Sequence, residues 1–90
     1  MPIIKSAKKR MRQNERRNAN NRTRRSSLRT SIRRLHEALA AGDQDAIQAQ
    51  WVKTQGLIDR TARLGIIHRN AAARTKSRLA RRIRQADAAG

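Results

Sequence analysis

Positively charged side chains crowd the stretch from Lys5 to Arg34, and they are the groups whose chemistry is easiest to infer. The stretch holds 13 of the 23 Lys and Arg residues, and Glu15 is its only acid. Lysine ammonium and arginine guanidinium groups bind phosphate oxygens. Because this charge density exceeds what a soluble helix needs, the segment requires a polyanion to lie against. We expect an RNA-binding arm that leads into the first helix of a small bundle.

The residues that perform catalysis in enzymes are scattered in this chain. His36 and His68 fall in different segments, no pair of carboxylates converges on a hydrophobic seam, and no glycine-rich phosphate loop occurs. His36 is most simply a residue of the bundle surface, whereas His68 is either an RNA contact or a plain helix-start residue. Asp43 and Asp45 are better explained as helix caps than as metal ligands. We therefore expect no enzyme activity, no cofactor and no metal site.

Trp51 is the only aromatic residue. Its helical spacing with Ile47 and Ile58 favours a place in the core over a base-stacking role. Proteins that recognise single-stranded nucleic acid use several exposed aromatic side chains as stacking platforms. Recognition by this chain should instead depend on phosphate contacts, on hydrogen bonds from Asn, Gln and Ser, and on the shape of a folded RNA.

The net charge of +17 is distributed unevenly along the 90 residues. Residues 1–34 carry 13 bases and one acid, residues 35–62 carry two bases and four acids, and residues 63–90 carry eight bases and one acid. Two basic segments thus flank a mildly acidic middle, which is typical of contact with nucleic acid or an anionic membrane.

Targeting and redox signals are weak. The absence of cysteine excludes disulfide bonds and thiolate metal ligands, and it is compatible with a reducing cytosol. No apolar run approaches the roughly 20 residues that a membrane span needs. Ile3 and Ile4 are followed at once by Lys5, which is too short a run for a signal peptide. An organelle transit peptide is disfavoured because a family motif, described below, begins within the first few residues.

Hydrophobic spacing predicts a long first helix. Leu28, Ile32, Leu35 and Leu39 lie on one stripe, at steps of four, three and four residues. The earlier positions of that stripe are polar, so the seam of the bundle stops at Leu28. A helix over residues 6–41 would be about 54 Å long at 1.5 Å per residue and would project beyond the bundle. We expect the projecting arm to be largely unfolded without RNA, because its like charges repel and its four Asn weaken helix formation.

Two further helices are predicted. Gly42 favours the end of the first helix, and Asp43 or Asp45 caps the second. The inner face of the second helix consists of Ile47, Trp51, Ile58 and Ala62, widened by Leu57 and Leu64. The sequence Leu64-Gly65-Ile66 predicts its end. The third helix runs from about His68 to Arg84, with Ala72, Leu79, Ile83 and Ala86 facing inward.

One residue interrupts the apolar stripe of the third helix. Lys76 must either extend its ammonium group past the apolar surface to water or bring it to RNA beyond the end of the bundle. The fold class that follows is all-α, an antiparallel three-helix bundle with a long, basic first helix. We assign residues 1–90 to one domain, with an arm at 1–27, a bundle at 28–86 and a tail at 87–90.

Two stretches of sequence carry a family resemblance. Near the start stands Ile4-Lys5-Ser6-Ala7-Lys8-Lys9-Arg10, followed by Arg25-Ser26 and Arg29-Thr30; near the end stand Gly65-Ile66-Ile67-His68-Arg69-Asn70, Ala72-Ala73-Arg74 and Lys76-Ser77-Arg78-Leu79. The chain resembles the bacterial small-subunit ribosomal protein S20 family over essentially its whole length. The resemblance implies a three-helix bundle whose first helix reaches into 16S ribosomal RNA (rRNA) and joins RNA helices of its 5′ domain.

The candidate rRNA contacts come from two sources. The resemblance implies contacts by Lys5, Ser6, Lys8, Lys9, Arg10, Arg25, Ser26, Arg29 and Thr30 in the first helix, and by His68, Arg69, Asn70, Arg74, Lys76, Ser77 and Arg78 in the third. The charge pattern adds Arg12, Arg16, Arg17, Arg22, Arg24, Arg33 and Arg81.

We therefore expect a structural constituent of the small ribosomal subunit that binds 16S rRNA directly, as a monomer within the cytoplasmic ribosome, without a membrane or a small-molecule substrate. The alternative is a nucleoid-type DNA-binding protein, which the charge alone permits; it should bind duplex DNA as tightly as folded rRNA and should dimerise. A membrane-active cationic helix needs a broad apolar face, and the polar residues Asn14, Asn18 and Asn21 on the stripe argue against one.

Overall fold

The computed structural model describes the backbone of residues 2–89 and the side chains of residues 6–87. Within that range the chain forms three helices and no strand: α1 (Pro2–Ala41), α2 (Gln44–Arg63) and α3 (Arg69–Ala89). The molecule measures 68 × 22 × 14 Å. Its length is close to the roughly 60 Å expected for a helix as long as α1. The predicted all-α fold with a long first helix is confirmed.

The connection between α1 and α2 follows the predicted turn chemistry. Gly42 adopts φ +74°, a conformation that favours glycine, and its N–H donates to the Ala38 carbonyl at 3.0 Å. Asp43 then caps α2, since its Oδ1 accepts from the Ala46 N–H at 3.3 Å. Of the two predicted caps, Asp43 is therefore the one used, and Asp45 lies in the first turn of α2.

The end of α2 also agrees with prediction. Gly65 has φ +75°, its N–H donates to the Ala62 carbonyl at 3.0 Å, and the Ile66 N–H donates to the Thr61 carbonyl at 3.0 Å. This pair of bonds is the Schellman motif, which satisfies carbonyls that the last turn would otherwise leave free. Ile66 is buried just past the glycine.

The third helix is longer than predicted. It begins at Arg69 and continues to Ala89, so residues 87–89, assigned to a tail from the sequence, prolong the helix. His68 precedes its first residue, and its Nδ1 accepts from the Asn70 N–H at 3.1 Å. The ring thereby satisfies one of the free N–H groups at the start of the helix.

The core lies where the three helices meet. Leu35, Ile47 and Ile58 are fully buried at 0% exposure, and the cluster is completed by Leu28, Ala72, Leu79 and Ile83. Trp51 packs against this cluster as predicted, although it is only partly buried. The predicted contribution of Leu64 to the inner face is wrong, because Leu64 follows the last residue of α2 and is 50% exposed.

A closed set of hydrogen bonds joins α1 to α2 inside the bundle. Gln50 Nε2 donates to Ser31 Oγ at 3.0 Å, Ser31 Oγ lies 2.8 Å from Thr54 Oγ1, and Thr54 Oγ1 donates to the Gln50 carbonyl at 2.8 Å. Ser31 and Thr54 are buried, and no buried side-chain nitrogen or oxygen among the described residues lacks a partner. We call this set of hydrogen bonds the Ser31–Thr54 network; it joins residues of two helices and was not predicted from the sequence.

The arm projects from this bundle as a continuation of α1. Every residue from Ser6 to Asn20 is exposed, Asn21 is half-buried, and Leu28 is the first buried side chain among the described residues. The arm is helical in the structure; its unfolding in the absence of RNA concerns an equilibrium in solution and stays a prediction. None of the described helices combines the length and the apolar character that crossing a bilayer requires.

Candidate nucleic-acid interface

The arm presents cations in every direction. Successive residues of an α-helix are rotated by about 100°, so consecutive bases cannot share a face. Lys8, Lys9 and Arg10 therefore cover more than half of the circumference, and the bases that follow fill the remainder. Because the cations cover all sides of the helix, they fit a polyanion that surrounds the arm better than a polyanion that presents one flat surface. The exposed candidates in the arm are Ser6, Lys8, Lys9, Arg10, Arg12, Arg16, Arg17, Arg22, Arg24, Arg25 and Ser26; the side chain of the predicted contact Lys5 lies outside the described residues.

Among the described residues, no cation of the arm forms an ion pair within the protein. Among the described side chains there are two ion pairs, one involving Arg33 and one involving Lys76. Arg33 Nε lies 4.0 Å from Glu37 Oε1, with both side chains about 70% exposed (72% and 69%). Such a pair contributes little, so Arg33 remains available to a stronger anion.

Lys76 has a partner within the bundle. Its Nζ lies 2.9 Å from Asp59 Oδ1, which joins α3 to α2. The sequence is compatible with a Lys76 that reaches water or RNA, and the structure brings its half-buried side chain to a carboxylate. An RNA contact by Lys76 stays a prediction, and it would compete with Asp59.

The other predicted residues of α3 occupy its exposed surface. Asn70, Arg74 and Arg81 are exposed, whereas Arg78 lies on the flank that faces α1. His68 is exposed, and its helix-start role is observed in the bond to the Asn70 N–H. A contact from His68 to RNA stays a prediction. The remaining predicted residues of this surface, Arg69 and Ser77, are also exposed.

A cleft of about 230 Å³ separates α1 from α3. In it, Arg82 Nη1 lies 3.0 Å from His36 Nδ1. The interpretation of His36 as a plain surface residue is incomplete, because His36 is half-buried and holds an arginine of another helix. Arg82 is absent from the predicted set, although its spacing of four residues from Arg78 could have suggested it. The lining residues are Ile32, His36, Thr75, Arg78, Leu79 and Arg82.

A second groove runs between α1 and α2. It contains the predicted contacts Ser26 and Thr30, and it adds two basic residues outside the predicted set, Arg34 and Lys53. Its wall is rich in hydroxyl groups, with Thr23 and Ser27 among them. Side chains of this kind donate to phosphate oxygens.

Acidic residues gather at the end of the bundle that lies away from the arm. Glu37 is in the last turns of α1, Asp43 caps α2, and Asp45 is in the first turn of α2. These acids reduce the positive potential at this end of the bundle, whereas the arm contains one acid, Glu15. A polyanion is therefore attracted most strongly to the arm.

Comparison with known proteins gives one family. The family described as Ribosomal protein S20 matches residues 2–84. A protein of Pseudoalteromonas atlantica named "Small ribosomal subunit protein bS20" is 50% identical over 84 residues, which cover 93% of this chain and 97% of that protein. Proteins of the same name from Shouchella clausii and Actinobacillus pleuropneumoniae are 46% identical over 83 residues and 47% identical over 85 residues, covering 92% and 94% of this chain and 94% and 98% of their own. The match spans the arm, the bundle and the greater part of α3, and the chain therefore belongs to the ribosomal protein S20 family.

Proposed function

We propose that this protein is a structural constituent of the small ribosomal subunit that binds 16S rRNA directly and holds neighbouring RNA helices together. The observation that carries the proposal is the exposure of the arm from Ser6 to Asn20, with cations on all of its sides and few anions to neutralise them. Family membership supports the same function, because the similar proteins are named as components of the small ribosomal subunit.

The mechanism is charge neutralisation between RNA segments. Two RNA helices repel each other through their phosphates. An arm with lysine and arginine side chains around its whole circumference can contact the phosphates of both RNA helices. Each phosphate that a lysine or arginine neutralises releases condensed counterions, which favours binding. The role is structural rather than catalytic, and it requires no cofactor.

The bundle supplies further contacts with RNA and fixes the position of the arm. Its only aromatic side chain, Trp51, packs against the core, so the contacts of the bundle depend on charge, hydrogen bonds and shape. The outer face of α3, with Arg74 and Arg81, supplies a second surface for RNA. The protein acts as a monomer within the ribosome, in the cytoplasm.

Filter binding to a 16S rRNA transcript over a range of salt concentrations tests the mechanism. If about eight phosphates are engaged, the logarithm of the affinity falls against the logarithm of the salt concentration with a slope of roughly −6 to −7. A slope near zero would overturn the proposal. Footprinting of the same complex should show protection in two separate RNA helices.

Competition with duplex DNA separates this function from that of a nucleoid-type DNA-binding protein. A duplex DNA of equal phosphate content should compete weakly, because the arm and bundle fit the shape of a folded RNA. Equal competition by DNA, together with dimer formation in sedimentation, would favour the nucleoid function instead.

A further inference from the structure

The cleft between α1 and α3 brings two guanidinium groups and an imidazole around one opening. Arg78 and Arg82 come from α3, and His36 comes from α1. We propose that this cleft seats one phosphodiester group of the RNA backbone, with Arg78 and Arg82 as its charge partners and His36 as the residue that positions Arg82. The proposal rests on the rRNA-binding function above, and it assigns roles to His36 and Arg82.

The contact between His36 and Arg82 fixes one of the two arginines. A guanidinium group has donors only, so at 3.0 Å the Nη1 of Arg82 donates and the Nδ1 of His36 accepts. Arginine has five N–H donors, and this contact uses one. The others remain for a phosphate, and a side chain already held in place loses less conformational freedom on binding.

Electrostatics make the cleft a site for an anion. Arg78 and Arg82 are four residues apart on one helix, and like charges at that spacing destabilise the helix. No acidic side chain lines the cleft, and the two ion pairs among the described residues, which involve Glu37 and Asp59, lie elsewhere. An external phosphate between the arginines would relieve their repulsion.

The walls of the cleft suit the same ligand. Ile32 and Leu79 form an apolar floor, which limits the water that competes for the arginines. Thr75 adds a hydroxyl group on the same helix as the two arginines. Backbone phosphates in protein–nucleic acid complexes are bound by this combination of arginine and hydroxyl donors.

The first test compares Arg82→Gln with Arg84→Gln in filter binding to a 16S rRNA transcript. Arg84 is an exposed arginine of the same helix that does not line the cleft, so it controls for net charge. Arg82→Gln should weaken binding roughly five- to tenfold near 0.1 M salt and make the salt slope less negative by about one unit. Arg84→Gln should change the affinity less than about twofold.

The second test concerns the positioning role of His36. His36→Leu removes the acceptor and should weaken binding roughly two- to tenfold, because Arg82 is no longer held. His36→Gln retains a side-chain acceptor and should recover most of the affinity. In the double variant His36→Leu/Arg82→Gln the loss should equal that of Arg82→Gln alone, since the two residues act through one contact. A merely structural role for His36 would instead give additive losses and would leave the salt slope of His36→Leu unchanged.

The outcomes distinguish the two proposals. If wild-type protein binds the transcript and Arg82→Gln behaves as Arg84→Gln does, the phosphate seat is wrong and the rRNA-binding function stands. If wild-type protein does not prefer the transcript over duplex DNA, the function itself fails. Circular dichroism of each variant should show wild-type helix content, and Arg82→Lys, which keeps the charge but loses the forked donors, gives an independent intermediate loss of affinity.

Discussion

Replacing Thr54 with valine should destabilise the free protein, because it opens the Ser31–Thr54 network. Valine preserves the volume of threonine and removes the hydroxyl group that lies 2.8 Å from Ser31 Oγ and donates to the Gln50 carbonyl. Both Ser31 and Thr54 are buried, so Ser31 loses a partner at a place that water does not reach. Leaving one buried hydroxyl with fewer hydrogen bonds costs about 1–3 kcal/mol.

The structure places the expected cost toward the lower half of that range. Ser31 Oγ still accepts from Gln50 Nε2 at 3.0 Å after the change, so only part of its hydrogen bonding is lost. We expect the free energy of unfolding to fall by about 1–2 kcal/mol. For a domain of this size that corresponds to a decrease in Tm of roughly 4–8 °C for each kcal/mol.

The assay is thermal and urea unfolding of the RNA-free protein, followed by circular dichroism and by the fluorescence of Trp51, which packs against the same bundle. Thr23→Val is the matched control: its hydroxyl donates to the Ala19 carbonyl at 3.0 Å but is exposed, so its removal should change stability by less than about 0.5 kcal/mol. The double variant Ser31→Ala/Thr54→Val should cost less than the sum of the two single changes, because no buried hydroxyl is then left without its partner. If Thr54→Val is as harmless as Thr23→Val, the network does not hold α1 to α2.

Further predictions concern α1 and the glycines. Arg29→Ala should weaken binding to folded rRNA by roughly tenfold with the bundle intact, as circular dichroism would show; an unfolded bundle would contradict this. Gly42→Ala should lower the free energy of unfolding by about 1 kcal/mol, because alanine is strained at φ +74°. Gly56→Ala should raise it by about 0.4–1 kcal/mol in urea unfolding, because Gly56 lies within α2 and a Cβ there meets no atom within 4 Å. Amide exchange in the RNA-free protein should leave residues 12–27 unprotected while Leu35 is protected, and protection of the arm equal to that of Leu35 would refute its predicted unfolding.

The sequence was sufficient for features that depend on local chemistry. Gly42 and Gly65 were predicted at helix ends because few other residues tolerate the conformation found there, and Asp43 because its carboxylate can accept from free N–H groups at a helix start. The stripe from Leu28 to Leu39 was sufficient to place one face of α1 against the core. These inferences need only the neighbours of each residue along the chain.

Features that depend on how the helices pack against each other were not predictable in the same way. The pairing of Ser31 with Thr54 and that of His36 with Arg82 join residues 23 and 46 positions apart. Helical periodicity shows which face of a helix is apolar, but it does not show which neighbour each flank meets. For that reason the sequence could name many exposed basic residues of α1 and α3 as candidates, but the predicted set omits Arg34, Lys53 and Arg82, and the grouping of basic residues around the cleft and the groove could not be predicted.

The continuity of α1 gives the chain a mechanical property. From Ser6 to Ala41 the helix contains neither glycine nor proline, so no flexible joint separates the part that meets RNA from the part that builds the core. When the arm is helical, its angular position is fixed relative to the bundle. One extra residue between them would turn every cation of the arm by about 100° and move it by about 1.5 Å along the helix axis. A surface loop can accept an insertion without moving its neighbours. The same insertion within α1 would change the direction in which every cation of the arm points.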